Sequence, residues 1–213
     1  MKLSFSIFLL LLISAFSLAQ TAPTTADEFK RVRLKAQNLS NSIYPYVRKT
    51  VTRISDGDKS AVTYIEITEA EALGVYRITR EKRSGNKTVT SYQLVVGLRN
   101  IFCSDDGINW TKPTRGGCDY DAAPAPPLTM SNGLGRYYVT KNPKAATAIT
   151  RYVEIAPFQD VFPGGTIKPK TTSFTVDPDG YLTNLETSFP THNRTTTWTR
   201  NVNFAPIKGP LIN

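Results

Sequence analysis

The chain has 213 residues, of which 40% are hydrophobic and 20% are charged, and its formal net charge is +9. This length suits one globular domain, since domains usually have ~100–200 residues. Aromatic and β-branched residues occur along the whole chain, which excludes intrinsic disorder and fibrous repeats. With a single histidine, the sequence offers little for a histidine-based metal or catalytic site.

The first segment has the pattern of a secretory signal peptide. A cationic start and an apolar run over residues 5–16 precede a small-x-small cleavage pattern that ends at Ala19. The alternative is a membrane anchor, which needs ~20 consecutive apolar residues, whereas this run is shorter and contains serines. We therefore expect a signal peptide over residues 1–19, cleaved near Ala19, and an exported soluble protein that is periplasmic or extracellular. Residues 20–213 are expected to form a single β-rich domain.

Two cysteines, Cys103 and Cys118, lie 15 positions apart. An even cysteine count in an oxidising compartment favours a disulfide. The alternative is a catalytic thiol, but no histidine lies in a partnering context. The sequence therefore predicts a Cys103–Cys118 disulfide.

One amphipathic helix is predicted after a polar linker over residues 20–24. Thr25 and Glu28 have the spacing of a capping box, and Pro45 ends the helix. Apolar residues then recur at steps of three and four, which places them on one stripe: Phe29, Val32, Ala36, Leu39 and Ile43. The stripe is typical of a helix that covers a sheet; the alternative is a helix that lies on a membrane surface.

The rest of the chain has the pattern of short strands separated by turn sequences. Because consecutive strands usually pair in space, the sequence predicts an antiparallel meander in a mainly β, α+β fold. The predicted strands span residues 46–54, 62–68, 75–80, 88–98, 100–103, 108–111, 136–140, 148–155, 171–176, 181–189 and 195–204.

Residues 112–135 interrupt this rhythm with many prolines and glycines. Loops longer than ~15 residues are uncommon unless they have a role. The predicted disulfide joins part of this segment, and the rest, residues 121–132, could be a lid or merely an insertion.

The sequence contains no convergent catalytic set. The turn Asp177-Pro178-Asp179-Gly180 matches part of a calcium loop, but Thr175 stands where its first aspartate belongs, so a hairpin turn is the better interpretation. Because no phosphate loop, nucleophile elbow or paired Cys–His spacing occurs, we expect no enzyme activity, no cofactor and no metal. The basic charges are scattered singly, which argues against nucleic acid and favours an anionic lipid or envelope surface as a partner.

Six short segments follow the predicted helix in a fixed order: residues 44–48 (YPYVR), 75–78 (VYRI), 94–97 (LVVG), 106–111 (DGINWT), 179–182 (DGYL) and 205–206 (AP). Over residues 25–207 this order resembles the bacterial LolA/LppX-like superfamily of periplasmic lipoprotein carriers and lipid-binding proteins. The resemblance implies an unclosed, strongly bent antiparallel β-barrel whose concave apolar face is covered by helices and holds acyl chains. The chain departs from the family in having one evident helix and an extra insertion.

A curved sheet covered by one helix has more apolar inner surface than the helix can shield. Each buried aliphatic or aromatic side chain contributes ~1.5–3 kcal/mol, so the apolar residues of the inner surface must be packed either by protein or by a ligand. The alternative to a ligand groove is a fully packed core without a cavity. Ten residues are the predicted groove: Tyr92, Leu94, Val96, Ile149, Val153, Tyr181, Leu185, Phe189, Trp198 and Phe204.

These patterns favour a monomeric, non-enzymatic binding protein that holds a lipid or the acyl chain of an acylated protein in a concave apolar groove. The alternative is a structural or adhesive envelope protein that uses a sheet edge or its basic surface and has no small-molecule ligand.

Overall fold

The computed structural model describes residues 20–55, 61–97, 100–114, 117–124, 135–141, 149–158, 168–189 and 191–210. The predicted signal peptide over residues 1–19 lies outside the described residues, as do residues 115–116 and 125–134 of the predicted insertion.

The described residues form one helix and eleven strands. The helix, α1, spans Ala26–Ser42. The strands are β1 (Gln20–Pro23), β2 (Tyr46–Ile54), β3 (Val62–Ala72), β4 (Val75–Ser84), β5 (Lys87–Val96), β6 (Ile101–Ser104), β7 (Arg136–Lys141), β8 (Thr150–Phe158), β9 (Lys168–Val176), β10 (Leu182–Ser188) and β11 (His192–Arg200).

All eleven strands belong to one antiparallel sheet in the order β1-β7-β8-β9-β10-β11-β2-β3-β4-β5-β6. Two meanders, β2–β6 and β7–β11, are joined where β11 pairs with β2. Among the described residues, no strand pairing joins the edge strands β1 and β6, so hydrogen bonds do not close the sheet. The predicted fold class, a mainly β protein with an unclosed antiparallel barrel and one helix, is confirmed.

Residues 201–204, predicted as the end of the last strand, lie beyond β11. Two further segments differ from the sequence prediction. Residues 20–23, predicted as linker, form the edge strand β1, in which Thr21 is opposite Thr140 of β7. Pairing with an available edge gave these residues a strand conformation that their own pattern did not indicate. Residues 108–111, predicted as a strand, contribute a single bridge between Thr111 and Cys103, because the turn before them and Pro113 after them leave no room for a ladder.

Helix α1 begins as its capping sequence predicts. The Thr25 hydroxyl accepts a hydrogen bond from the Glu28 amide at 3.1 Å. The Glu28 carboxylate accepts from the Thr24 hydroxyl at 2.9 Å, so it reaches one residue beyond the capping box. Phe29 and Ala36 of the predicted stripe are buried, and the helix packs on β7 and β10. We call the face of the sheet that α1 covers the inner face, and the opposite face the outer face.

The core between α1 and the inner face is built around Phe29. Its ring centroid lies 4.9 Å from that of Phe174 and 5.3 Å from that of Tyr137. The rings of Phe174 and Tyr152 stack at 4.8 Å. These aromatic contacts fix the N-terminal half of the helix on β7, β8 and β9.

The C-terminal half of α1 is fixed by hydrogen bonds to the sheet. Ser40 is fully buried, and its hydroxyl accepts from the Leu182 amide at 2.7 Å and donates to the Leu182 carbonyl at 3.3 Å. Register shifts at this point of the β9–β10 ladder, so the serine satisfies backbone groups that the ladder leaves free. Nearby, the Trp198 indole donates to the Asn41 side-chain oxygen at 3.1 Å.

A second core lies on the outer face of β5 and β6. Tyr76 packs against the main core and is opposite Val95, so Leu94 and Val96 point to the other side of the sheet. There they pack in a cluster formed by Leu94, Phe102 and Ile207 with Val75, Val96, Trp110 and Phe204.

In the part of the chain that the structure describes, no helix combines the length and the apolar character that a membrane span requires.

Candidate functional site

A cavity of about 380 Å³ lies on the inner face beside the helix. The helix contributes Arg33 and Gln37, and the opposite wall contains Pro124. The floor comes from strands β2, β3, β9, β10 and β11 and the turn before β11: Arg48, Thr50, Thr52, Glu66, Lys170, Thr172, Leu185, Thr187, Phe189, His192, Arg194, Thr196 and Trp198.

Part of the predicted insertion forms the wall opposite the helix. We call residues 117–124 the strap. Its start is joined to β6 by the Cys103–Cys118 disulfide, which confirms the predicted pairing. The guanidinium of Arg80 lies 3.6 Å from the ring centroid of Tyr120. Because the strap then reaches the cavity at Pro124, it covers the part of the inner face that α1 leaves open.

An ion pair adds a second attachment to the strap. The Lys82 ammonium donates to the Asp121 carboxylate at 2.8 Å. This hydrogen bond to Asp121 raises the pKa of Lys82. A second cavity, of about 300 Å³, lies between the strap and strands β2–β4, so the strap crosses the sheet without filling the space beneath it.

The turn after β6 is organised by the carboxylate of Asp106. It accepts from the amides of Ile108 and Asn109 at 2.8 Å each, from the Ser104 hydroxyl at 2.8 Å and from the Asn109 side-chain amide at 2.6 Å. The backbone hydrogen bonds from Asn109 and Ile108, followed by the side-chain ones, hold the pKa of Asp106 well below its usual range. The turn thus fixes the chain between the two disulfide partners.

Replacing Asp106 by asparagine should remove an acid-sensitive part of the stability. A carboxyl with a depressed folded pKa stabilises the fold above its unfolded pKa of ~3.9 and loses that contribution as the pH falls through the folded value. We expect the melting temperature of wild type to fall more steeply below about pH 4 than that of Asp106→Asn. Thermal melts from neutral to strongly acidic pH test this, and parallel curves would contradict it.

The cavity floor contains a transverse row of hydrogen-bond donors. Thr172 is opposite Thr187, Thr187 is opposite Arg194, and Arg194 is opposite Thr52. Directly opposite residues on neighbouring strands share a face and lie ~4.5–5.5 Å apart at Cα. The four side chains therefore form one continuous line across β9, β10, β11 and β2, which we call the donor row.

Three of the ten predicted groove residues meet in the cavity, namely Leu185, Phe189 and Trp198. Phe189 and Trp198 are buried, and Leu185 is half-buried against the main core. Tyr181 lies outside the cavity lining, with its ring centroid 3.6 Å from the Arg200 guanidinium.

The remaining groove candidates do not line the cavity. Val153 is opposite Ser173, whose hydroxyl contacts Glu186 on the outer face. Half-buried Ile149 precedes β8. The last four lie on the outer-face side of β5 and β6, three of them in the second core and one beside Gly107: Leu94, Val96, Phe204 and Tyr92.

Sequence reasoning missed the polar part of the cavity lining. The charged and hydroxyl side chains of the cavity did not enter the predicted groove, because the prediction selected apolar residues alone. A signal was present: His192, Arg194, Thr196 and Trp198 alternate along β11, and the two-residue period of a strand places Arg194 on the face of Trp198.

Comparison with known proteins gives a distant similarity in fold. No protein-family model matches the chain, and no curated protein is similar to it in sequence. Among solved structures, LprF from Mycobacterium bovis is similar with a TM-score of 0.42 and 11% identity, over 89% of this chain and 99% of that chain.

Proposed function

We propose that this chain is an exported, non-enzymatic binding protein that holds the acyl chain of a lipid or of an acylated protein in the cavity between α1 and the strap. The observation that carries the proposal is the cavity of about 380 Å³ on the inner face, to whose lining Leu185, Phe189 and Trp198 contribute apolar surface.

The size of the cavity supports a small ligand. Ligand pockets usually have volumes of ~300–1,000 Å³, and this one has about 380 Å³. A hollow near the lower end of the range suits a single acyl chain better than a multi-chain lipid. The strap and the helix, one on each side, restrict access of water to such a chain.

The cavity lining is partly apolar and partly polar, which indicates a ligand with an apolar chain and a polar head. A wholly apolar groove was expected from the sequence, but threonines and arginines share the cavity with the three apolar residues. An amphipathic molecule satisfies both kinds of surface, because its chain contacts the apolar side chains while its head contacts the donors.

The sheet edges give less support to the alternative, a structural or adhesive protein without a small ligand. The edge strands β1 and β6 have four residues each, and β1 contains Pro23. Short edge strands and edge prolines are features that discourage pairing with another chain.

Organic extraction and native mass spectrometry of purified protein test the binding proposal directly. Co-purified lipid would support it, and apo protein that takes up no fatty-acid analogue would overturn it.

A charge at Leu185 should abolish uptake of an acyl chain. Leu185→Asp places a carboxylate in the apolar part of the cavity, and we expect at least ~10-fold weaker binding of a fluorescent fatty-acid analogue, because the aspartate must be desolvated beside the chain. Val153→Asp is the matched control, since Val153 is also a half-buried strand residue but faces outward. Saturation binding on both variants, after melting curves confirm folding, tests the site; equal affinities would contradict it.

A further inference from the structure

Positive charge dominates the cavity lining. Among the described residues that line it, four are basic, Arg33, Arg48, Lys170 and Arg194, whereas Glu66 is the one acidic residue. Glu66 is already shared, since its two oxygens lie 3.5 Å from Arg48 Nη2 and 3.0 Å from Arg80 Nε. The negative charge of Glu66 is therefore compensated by Arg48 and Arg80.

Three of these cations have no acidic partner. Within the described residues, Arg33, Lys170 and Arg194 form no ion pair. The Lys170 ammonium lies 5.3 Å from the ring centroid of Phe189, a contact that leaves its charge uncompensated. The three residues come from α1, β9 and β11, so the folded arrangement alone brings their charges to one cavity.

Three arginines on the outer face show the opposite pattern. Arg77 lies 2.5 Å from Glu69, Arg83 lies 2.5 Å from Glu81, and Arg151 lies 3.7 Å from Glu186. Each of these cations has a carboxylate partner on the outer face, although Glu186 lies two strands away from Arg151. Uncompensated charge is thus not a property of every basic residue in this chain, and three such cations meet at the cavity.

The donor row adds uncharged donors to the same place. The hydroxyls of Thr52, Thr172 and Thr187 line the cavity, and none hydrogen-bonds another side chain among the described residues. They flank Arg194 on both sides along the row. A guanidinium between hydroxyls can donate several hydrogen bonds to one tetrahedral or planar oxyanion.

We propose that the cavity binds its ligand through an anionic oxygen group, a phosphate or a carboxylate, held by Arg33, Lys170, Arg194 and the donor row. The inference deepens the proposed function and rests on it, because it names the ligand class as an anionic amphiphile. Cations in a half-enclosed site raise the local concentration of anions and attract them at long range. Hydrogen bonds in which the donor and the acceptor are both charged are stronger than neutral ones.

The test measures three probes by calorimetry below the critical micelle concentration. They are dodecyl phosphate, which carries the chain and the anion, dodecanol, which carries the chain, and inorganic phosphate, which carries the anion. Wild type is expected to bind dodecyl phosphate at least ~10-fold more tightly than dodecanol. Its affinity for dodecyl phosphate should fall as salt is added. Weak binding of inorganic phosphate alone would identify a lipid headgroup, and not free phosphate, as the source of the anion.

A matched pair of variants assigns the effect to the cavity. The double variant Lys170→Gln with Arg194→Gln is expected to lose at least ~10-fold in affinity for dodecyl phosphate and to keep its affinity for dodecanol. Arg53→Gln is the control, because Arg53 is an exposed cation opposite Asn193, one position from Arg194, on the outer face. It should leave both affinities unchanged.

The outcomes separate this inference from the proposed function. Equal binding of dodecyl phosphate and dodecanol, or a double variant that behaves like Arg53→Gln, overturns the anionic site and leaves chain binding intact. Tight binding of inorganic phosphate with no gain from the dodecyl chain overturns the acyl-chain proposal and supports the anion site. Failure of all three probes to bind overturns both.

Discussion

Phe29→Ala should lower the free energy of unfolding by ~3–5 kcal/mol, the usual cost of removing a buried phenylalanine. Phe29 is 1% exposed and contacts the rings of Phe174 and Tyr137 across the helix–sheet interface. Its removal opens a hollow that the stacked rings on β8 and β9 cannot fill without moving. Because α1 is the helix that walls the cavity, the variant should also bind ligand less tightly.

Urea unfolding followed by far-ultraviolet circular dichroism measures this cost. Leu34→Ala is the control on the same helix, since Leu34 is 61% exposed, and it should change stability by less than ~0.5 kcal/mol. A Phe29→Ala midpoint equal to that of Leu34→Ala would show that the helix is not anchored through this ring.

Removing the disulfide should be the second large effect. The disulfide closes a loop between cysteines 15 positions apart and so restricts the unfolded chain. In the chain-entropy model this restriction stabilises the fold by ~3 kcal/mol, which the double variant Cys103→Ser with Cys118→Ser should lose. The strap then depends on the Arg80–Tyr120 contact and on the Lys82–Asp121 ion pair, in which Asp121 is well exposed. Exposed ion pairs contribute ~0–1 kcal/mol, so the strap should loosen and bound ligand should dissociate faster.

Two comparisons isolate the role of the disulfide. Wild type kept in reducing agent should match the double variant in urea midpoint and in ligand off-rate. Asp121→Asn, which removes the ion pair and leaves the disulfide, should change both much less. An off-rate unaffected by reduction would mean that the strap does not retain the ligand.

The extent to which the fold could be predicted depended on local signals. The helix and ten of the strands follow from the 3.6- and two-residue periods and from turn sequences, and β2 begins and ends at the predicted residues. β1 could not be predicted, because residues 20–23 form a strand only through the edge of β7, more than 110 positions away. Such pairing leaves no trace in the segment itself.

The site was less predictable for a related reason. Alternation along a strand shows which residues share a face, but it does not show which face carries the helix. Leu94 and Val153 satisfy the same apolar pattern as Leu185, yet both lie on the outer face, Leu94 in a second core. A sheet with apolar clusters on both faces therefore gives two equivalent interpretations from sequence alone, and the apolar pattern does not include Arg194 and its threonine neighbours.

The junction between β11 and β2 has a consequence for when the binding site comes into existence. Trp198 is opposite Arg48, so this seam joins chain segments 150 positions apart, and contacts of such long range form slowly during folding. The strap precedes β7 in the chain, while three of the floor strands, β9, β10 and β11, follow β7. Ligand binding would therefore show that the sheet is fully assembled. A chain in which β11 has not yet paired with β2 would have no complete cavity.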